Sequence, residues 1–142
     1  VVTIERVLGL DVGDKWIGVA ISDPLGLIAQ SLKTIKRDTS KQTLEEIQDI
    51  ILEYDIRKVV VGLPKNMNNT IGPQGEKVMK FASRLSRKYN VEIIYLDERM
   101  TTLSAQRVLI EADVRRENRK KYVDQIAATY ILQTYLDGLK EA

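Results

Sequence analysis

The chain of 142 residues contains neither cysteine nor histidine. Without cysteine there is no disulfide framework and no thiolate zinc site. Without histidine the commonest general base is missing, together with every Ser-His-Asp arrangement and all imidazole metal ligation. Chemistry must run on oxygen groups and nitrogen cations, and oxygen-only ligation suits Mg²⁺ or Mn²⁺ rather than zinc or copper. Long apolar runs are lacking too. No stretch approaches the ~18 consecutive apolar residues of a membrane span, and the N-terminus lacks the basic-then-apolar layout of a secretory signal. The expectation is a cytoplasmic protein with no membrane partner. Charge of either sign is not in excess: 22 Lys+Arg face 20 Asp+Glu, a net +2. Any face that binds a polyanion must therefore come from local clustering. Length and the absence of a composition break fit one domain over residues 1–142.

The first 37 residues read as three strands, Arg6 to Asp11, Trp16 to Ile21 and Ser31 to Lys36, with Val12-Gly13-Asp14-Lys15 as a hairpin turn. Thr39 and Gln42 have capping-box spacing, and Leu44, Ile47, Ile51 and Tyr54 recur at helical intervals, so a helix is expected from Thr39 to about Asp55. Lys58 to Leu63 is a near-continuous apolar run of the kind buried on both faces of a parallel sheet. Pro64 to Gln74 reads as a loop at the carboxyl end of that strand, a position that often binds ligands. A second helix over about Gln74 to Tyr89 leads to a fifth strand, Val91 to Leu96. Thr101-Thr102 reads as a cap for a helix over Leu103 to Ala112. The charged stretch Asp113 to Lys121 then separates it from a last helix with an inward stripe of Val123, Ile126, Ala127, Tyr130, Ile131 and Thr134. Three antiparallel strands followed by two parallel crossover strands, with helices on both faces, make an α/β, ribonuclease-H-like, mixed five-stranded sheet.

Three acidic positions stand where solvent-facing charge is not expected: Asp11, the pair Asp97-Glu98, and Asp124. Asp11 interrupts the apolar run from Val7 to Val12, where an unpaired buried charge would cost several kcal/mol. Strand ends at Asp11 and Asp97-Glu98, and a helix carrying Asp124, can meet at one sheet edge. Each acid also has an ordinary role open to it. Asp11 can cap the turn through the amides of Gly13 or Asp14; Asp97 or Glu98 can pair with Arg99 or serve the next helix N-terminus; Asp124 can be a first-turn carboxylate. The conjunction supports a metal site in which Asp11, Asp97, Glu98 and Asp124 are candidate ligands. Two ions ~4 Å apart there would activate a water and stabilise the leaving oxygen of a phosphodiester.

Polar residues around these acids suit a polyanion. Arg115, Arg116, Arg119, Lys120 and Lys121 crowd the segment before Asp124, where they either hold phosphates or form a solvated connection. Lys15, Lys65, Asn66, Asn68, Asn69 and Thr70 are loop donors at the same expected edge, and Arg99 follows the acidic pair; all are candidate nucleic-acid contacts, although lone loop asparagines are usually turn formers. Trp16 is either a base-stacking surface or partly buried packing.

The motifs Gly9-Leu10-Asp11-Val12-Gly13, Ile17-Gly18-Val19-Ala20-Ile21-Ser22-Asp23, Val61-Gly62-Leu63-Pro64-Lys65-Asn66-Met67, Asp97-Glu98-Arg99-Met100-Thr101-Thr102 and Val123-Asp124-Gln125-Ile126-Ala127-Ala128 occur in this order. Together they resemble the YqgF (RuvX) family across essentially the whole chain. The resemblance implies a ribonuclease-H-fold nuclease that matures the 5′ end of pre-16S ribosomal RNA, with Holliday junction resolution as the alternative. It assigns the catalytic acids to Asp11, the acidic pair and Asp124. Strand alternation puts Asp97 and Glu98 on opposite faces, although the exit of the strand can twist either inward, and within the pair Glu98 is favoured. Two positions depart from the family pattern: Trp16, where a basic residue is expected, and Asn68-Asn69-Thr70, where Asp-Gly is more usual. The expected partner is structured RNA or branched DNA, bound by a monomer or homodimer. A reading of another class is a non-catalytic nucleic-acid-binding or nucleotide-binding module. The actin-like ATPases and sugar kinases open with a similar turn, but they need a second domain of like fold to close over a nucleotide.

Overall fold

A computed structural model describes residues 5–100 and 119–141, with side chains described over 5–99 and 125–139. The elements are β1 (Val7–Val12), β2 (Trp16–Ser22), β3 (Ala29–Lys36), α1 (Ser40–Tyr54), β4 (Lys58–Leu63), α2 (Pro73–Tyr89), β5 (Glu92–Asp97), a 3-10 turn (Glu98–Met100) and α3 (Arg119–Glu141). The strands form one sheet in the order β3-β2-β1-β4-β5. β1 pairs with β2, and β2 with β3, antiparallel; β1 pairs with β4, and β4 with β5, parallel. This is the mixed five-stranded architecture expected from the pattern of runs.

Alternation within the strands builds two cores. Leu8, Leu10 and Val12 of β1 and Val59, Val61 and Leu63 of β4 face α1 and α2. Val7 and Val60 face α3, where they meet Ala127, Ala128, Ile131, Leu132 and Leu136. With period-2 alternation, Gly9 and Asp11 of β1 and Gly62 of β4 fall on this second, α3 side. A strand covered on both faces has no polar side to show water, which is why β4 reads as a continuous apolar run.

Local signals set the helix ends. The Thr39 hydroxyl accepts from the Gln42 amide at 3.1 Å and caps α1. Pro73 opens α2, where its missing N–H is no loss. Asn90 closes α2 in the left-handed region at φ 53°, a conformation asparagine tolerates better than most residues. At the β2–β3 hairpin the Asp23 carboxylate accepts from the amides of Leu27 and Ile28 at 2.7 and 2.9 Å. These bonds, the Ile28 amide first, hold its carboxyl below the usual range. They also let β3 begin at Ala29, paired with Ser22, two residues earlier than its β-rich run suggested.

Two expectations about the last helix need correction. α3 is already under way at Arg119, so Arg119, Lys120 and Lys121 belong to its first turn and not to a connection; lysine and arginine are good helix formers. Its buried face includes Ala128, Leu132 and Leu136, which the expected stripe omitted, whereas Ile126, Tyr130 and Thr134 are half-buried. The cause is the sheet beneath: α3 lies low across β1, over Gly9. A Cβ on residue 9 would stand 2.8 Å from the Leu132 Cβ and 3.1 Å from the Ala128 carbonyl oxygen. The expected helix over Leu103 to Ala112, and Arg115 and Arg116, lie outside the described residues.

Gly9→Ala would force α3 off the sheet, and overpacking of this kind costs about 1–3 kcal/mol. Urea unfolding should show a lower midpoint with an unchanged m-value; equal stability would mean that the helix yields without strain.

Candidate active site

The sheet brings two of the expected acids to one place. Asp11 is buried, at 5% exposure, on the α3 side of β1. It pairs across the antiparallel ladder with Gly18. On the other flank the parallel register runs to Leu10 opposite Val61, and its next step sets Asp11 beside Gly62. Both neighbours are glycine, so no side chain crowds the carboxylate in the plane of the sheet. Glu98 reaches into that clearing from the 3-10 turn after β5. Its Oε1 lies 2.8 Å, and its Cγ 3.2 Å, from the point where a Cβ on residue 62 would stand. Ile131 of α3 closes the same spot. Neighbouring strands are about 4.8 Å apart, so Asp11 and a carboxylate resting over Gly62 share one small space beneath α3.

Asp97 is set apart from this pair. It pairs with Leu63, which faces α1 and α2, and Ile93 of the same alternation packs there as well, whereas Ile94 and Leu96 pack on the α3 side. Its carboxylate is held by Arg99: Nε donates to both oxygens at 3.1 Å, Nη2 to Oδ2 at 2.7 Å, and the Arg99 amide to Oδ1 at 3.0 Å. Pairing with Arg99, one of the ordinary roles open to the acidic pair, is thus realised by Asp97. The Arg99 hydrogen bonds hold the Asp97 carboxyl below the usual carboxylate range, against the smaller opposing effect of burial.

The same guanidinium reaches the β4–α2 loop. Nη1 donates to the Asn66 carbonyl at 3.1 Å and Nη2 to the Asn69 side-chain oxygen at 2.7 Å. Most of the loop residues expected to contact nucleic acid are engaged with one another. The Asn66 amide group donates to the Thr70 hydroxyl at 3.0 Å, that hydroxyl donates to Asn68 at 2.6 Å, and Lys65 Nζ donates to Asn69 at 3.4 Å. Asn69, at φ 68°, makes the turn. These side chains shape the loop, and Arg99 ties it to the turn that carries Glu98. Met67, 98% exposed, stands out from this loop.

The third acid is located by its backbone. The Gln125 side chain bonds Ser31 and Thr34 of β3; Thr34 pairs with Gly18, and Gly18 with Asp11. Ser31 pairs with Ala20, and Ala20 with Gly9, so Gln125 lies over β3 across the levels of Gly9 and Asp11; position 124 is its neighbour on α3 and precedes the buried Ala127 and Ala128 by three and four residues. The Asp124 side chain lies outside the described residues, as do those of Arg119, Lys120 and Lys121. Among the described residues no three acids form a cluster able to hold a metal ion. Lys15 is exposed in the β1–β2 turn at the same sheet edge, and Trp16 is half-buried at the start of β2.

Sequence reasoning missed Gly62 and the bridging role of Arg99. A signal for the first was present, since a glycine inside a buried strand marks a close approach. The second has no signature, because its partners lie 30 and more residues away.

Breaking the clamp should loosen the loop before the core. In Asp97→Asn, amide exchange at Asn66, Asn69 and Thr70 should speed up while that of β1 stays slow. Because folding lowers the Asp97 pKa, the clamp's contribution is complete above the ordinary carboxylate value of about 4 and is lost only as pH falls through the lower folded value. NMR shifts of the loop should accordingly hold from neutrality down to about pH 4 and move below it. Loop shifts that move between pH 5 and 7 would contradict this.

Comparison with known proteins agrees with the architecture. A relative from Clostridium tetani named "Putative pre-16S rRNA nuclease" is 58% identical over 134 residues, covering 94% of this chain and 97% of its own. One of the same name from Thermoanaerobacter pseudethanolicus is 57% identical, covering 95% and 98%. Among solved structures, Thermus thermophilus RuvC in complex with a Holliday junction substrate superposes with a TM-score of 0.57 at 12% identity, over 98% of each chain. The fowlpox virus Holliday junction resolvase gives 0.52 at 16% identity, over 94% of this chain and 99% of its own. These two likenesses show the fold. The model of the family described as RuvX, Holliday junction resolvase, matches residues 5–138, and with it the chain belongs to the RuvX family.

Proposed function

We propose that this chain is an endonuclease that cleaves a phosphodiester of structured nucleic acid, with the 5′ end of precursor 16S ribosomal RNA as its substrate. One observation carries the reading. Asp11 and Glu98, 87 positions apart in sequence, share one glycine-cleared space under α3 at the carboxyl edge of the sheet. The names of the relatives, at 57 and 58% identity over nearly full length, support the choice of RNA.

The donor set suits a hard divalent cation. Two carboxylates, with neither histidine nor cysteine in the chain, offer only oxygen ligands, which fit Mg²⁺ or Mn²⁺. Asp11, Glu98 and Asp124 would hold the ion. When bound, it supplies charge stabilisation at the phosphate and a more acidic water.

The protein's own part is positioning. Asp11 pairs with Gly18 at the end of a strand laddered on both sides, so its backbone is held and its buried carboxylate is confined beneath α3. Glu98 sits half-exposed on a short turn, so its longer side chain can orient the attacking water and accept its proton. As the water oxygen bonds to phosphorus, the bond from phosphorus to the leaving oxygen breaks, and that oxygen takes up a proton. Asp97 does not join the acids in this scheme. Through Arg99 it fixes the turn from which Glu98 projects.

Resolution of a Holliday junction is the second reading, favoured by the description of the family and by the fold shared with RuvC. Symmetric cutting of a four-way junction needs two sites related by a two-fold axis, and so a dimer.

Matched precursor rRNA and four-way DNA junctions should be offered with Mg²⁺ or Mn²⁺. Asp11→Asn, Glu98→Gln and Asp124→Asn should each lower cleavage by about 100-fold or more, corresponding to about 3 kcal/mol of lost transition-state stabilisation, while substrate binding persists. Asp97→Asn should fall in the milder range of about 10–100-fold expected of a residue that orients a ligand. Chelation should stop the reaction, and either ion should restore it. Full turnover by any of the first three variants would remove that carboxylate from the mechanism, and cutting of junctions but not RNA would transfer the assignment to the second reading.

A further inference from the structure

On the opposite side of the sheet from Asp11 and Glu98, but at the same carboxyl edge, a cleft of about 380 Å³ opens between the β1–β2 turn, the start of α1 and one face of α2. Its volume is at the small end for a ligand site, yet its walls are not those of an apolar pocket. Arg37, Lys77, Lys80 and Arg84 line it, against only two carboxylates, Asp14 and Asp38.

Three of the four cations come from one face of α2. Residues 77, 80 and 84 are spaced by three and four, so they stack along the helix. Lys80 and Arg84 make no ion pair among the described residues. Like charges at i and i+4 destabilise a helix, an arrangement that an anion would relieve. Lys77 reaches Asp14 only at 3.9 Å with both side chains well exposed, a pair of little energetic weight. Arg37 is the fixed member: Nη1 donates to the Gly13 carbonyl at 2.9 Å, and its guanidinium lies 5.2 Å from the centre of the buried Phe81 ring. That packing holds the guanidinium in place without neutralising it.

The shape selects the ligand class. From Lys77 to Arg84 the row runs about 10 Å along the helix axis, whereas phosphates of one strand recur every ~3.4 Å along a duplex. A row of this length matches several backbone phosphates better than one free anion. The chain also links the two sites directly, since Asp14 lies three residues after Asp11, in the turn that forms one wall of the cleft.

We propose that this cleft anchors the sugar-phosphate backbone of the nucleic acid a few nucleotides from the bond to be cut. The inference rests on the nuclease reading for its substrate but not for its test, which reads binding alone. In the full chain carrying Asp11→Asn, affinity for a precursor-type RNA stem with a single-stranded extension is measured by fluorescence anisotropy across a salt series. Adding Lys80→Gln and Arg84→Gln should weaken binding about 10-fold near 0.1 M salt and flatten the logarithmic salt slope by about 1.5, the loss of two phosphate contacts. The charge-keeping exchange Lys80→Arg with Arg84→Lys should restore both within about 3-fold. Thermal unfolding of each variant checks that the fold is kept. An unchanged affinity and slope would overturn the proposal. So would saturation of the Arg37, Lys80 and Arg84 NMR signals by micromolar inorganic phosphate or AMP, which would make the cleft a small-anion site. If the parent chain, with Asp11 intact, cuts RNA while the binding variants show no drop, the anchor is lost and the nuclease reading is kept; if the parent chain cuts nothing while the drop is seen, the reverse holds.

Discussion

The close passage of α3 over β1 at Gly9 is the contact on which the candidate site depends. Two backbones meet there with a glycine Cα as spacer, and the helix is consequently low enough for Ala128 and Leu132 to be fully buried against the sheet. Further along the same face, Gly62 has Ile131 and Glu98 packed together where its side chain would have been. A larger residue at either position would raise the helix or evict the acid. The space shared by Asp11 and Glu98 is thus made by what β1, β2 and β4 omit: glycine stands at positions 9, 18 and 62, all on one side of the sheet.

The two faces of the sheet divide the polar work. The α3 side gathers carboxylates into a confined, largely apolar setting, where a hard cation is the natural complement. The α1 and α2 side gathers arginine and lysine into an open cleft. The cationic excess of the cleft and the pair Asp11 and Glu98 lie on opposite sides of a layer of β-structure, so the cations of the cleft do not simply neutralise those two acids. The carboxyl edge, with the β1–β2 turn and the β4–α2 loop, is the shared border. A polyanion lying across that edge would meet attraction on one side and the acids on the other. The near-zero net charge of the chain conceals this separation.

Much of this was legible in the residues. Alternation and the apolar run from Lys58 to Leu63 placed the strands, and the Thr39 cap and helical spacing of Leu44, Ile47 and Ile51 placed α1, because those signals are local. Asp11 stood out because a charge inside an apolar run demands an explanation. The separation of Asp97 from Glu98 followed from period-2 alternation in principle, but the choice required knowing which face of β5 met which helix. Arg99 read as a substrate contact because a cation after two acids beside an expected nucleic-acid site carries no mark of its tertiary partners. The asparagines of the β4–α2 loop read either as donors to a ligand or as turn formers, and their side-chain groups close a turn upon itself. The cleft was invisible for a similar reason: Arg37 and the α2 cations come together only when the β2–β3 ladder and α2 pack at the same end of the molecule.

One guanidinium joins the β4–α2 loop to the turn bearing Glu98, and this makes the two segments a single mechanical part. A change in the length of the loop would be felt as a displacement of the acid, although no loop atom need touch it. Grafting this loop onto a related scaffold, or exchanging it to retune substrate choice, would have to carry the Asp97–Arg99 pair along. Conversely, a substrate that tugs the exposed tip at Met67 has a lever on the carboxylate some distance away.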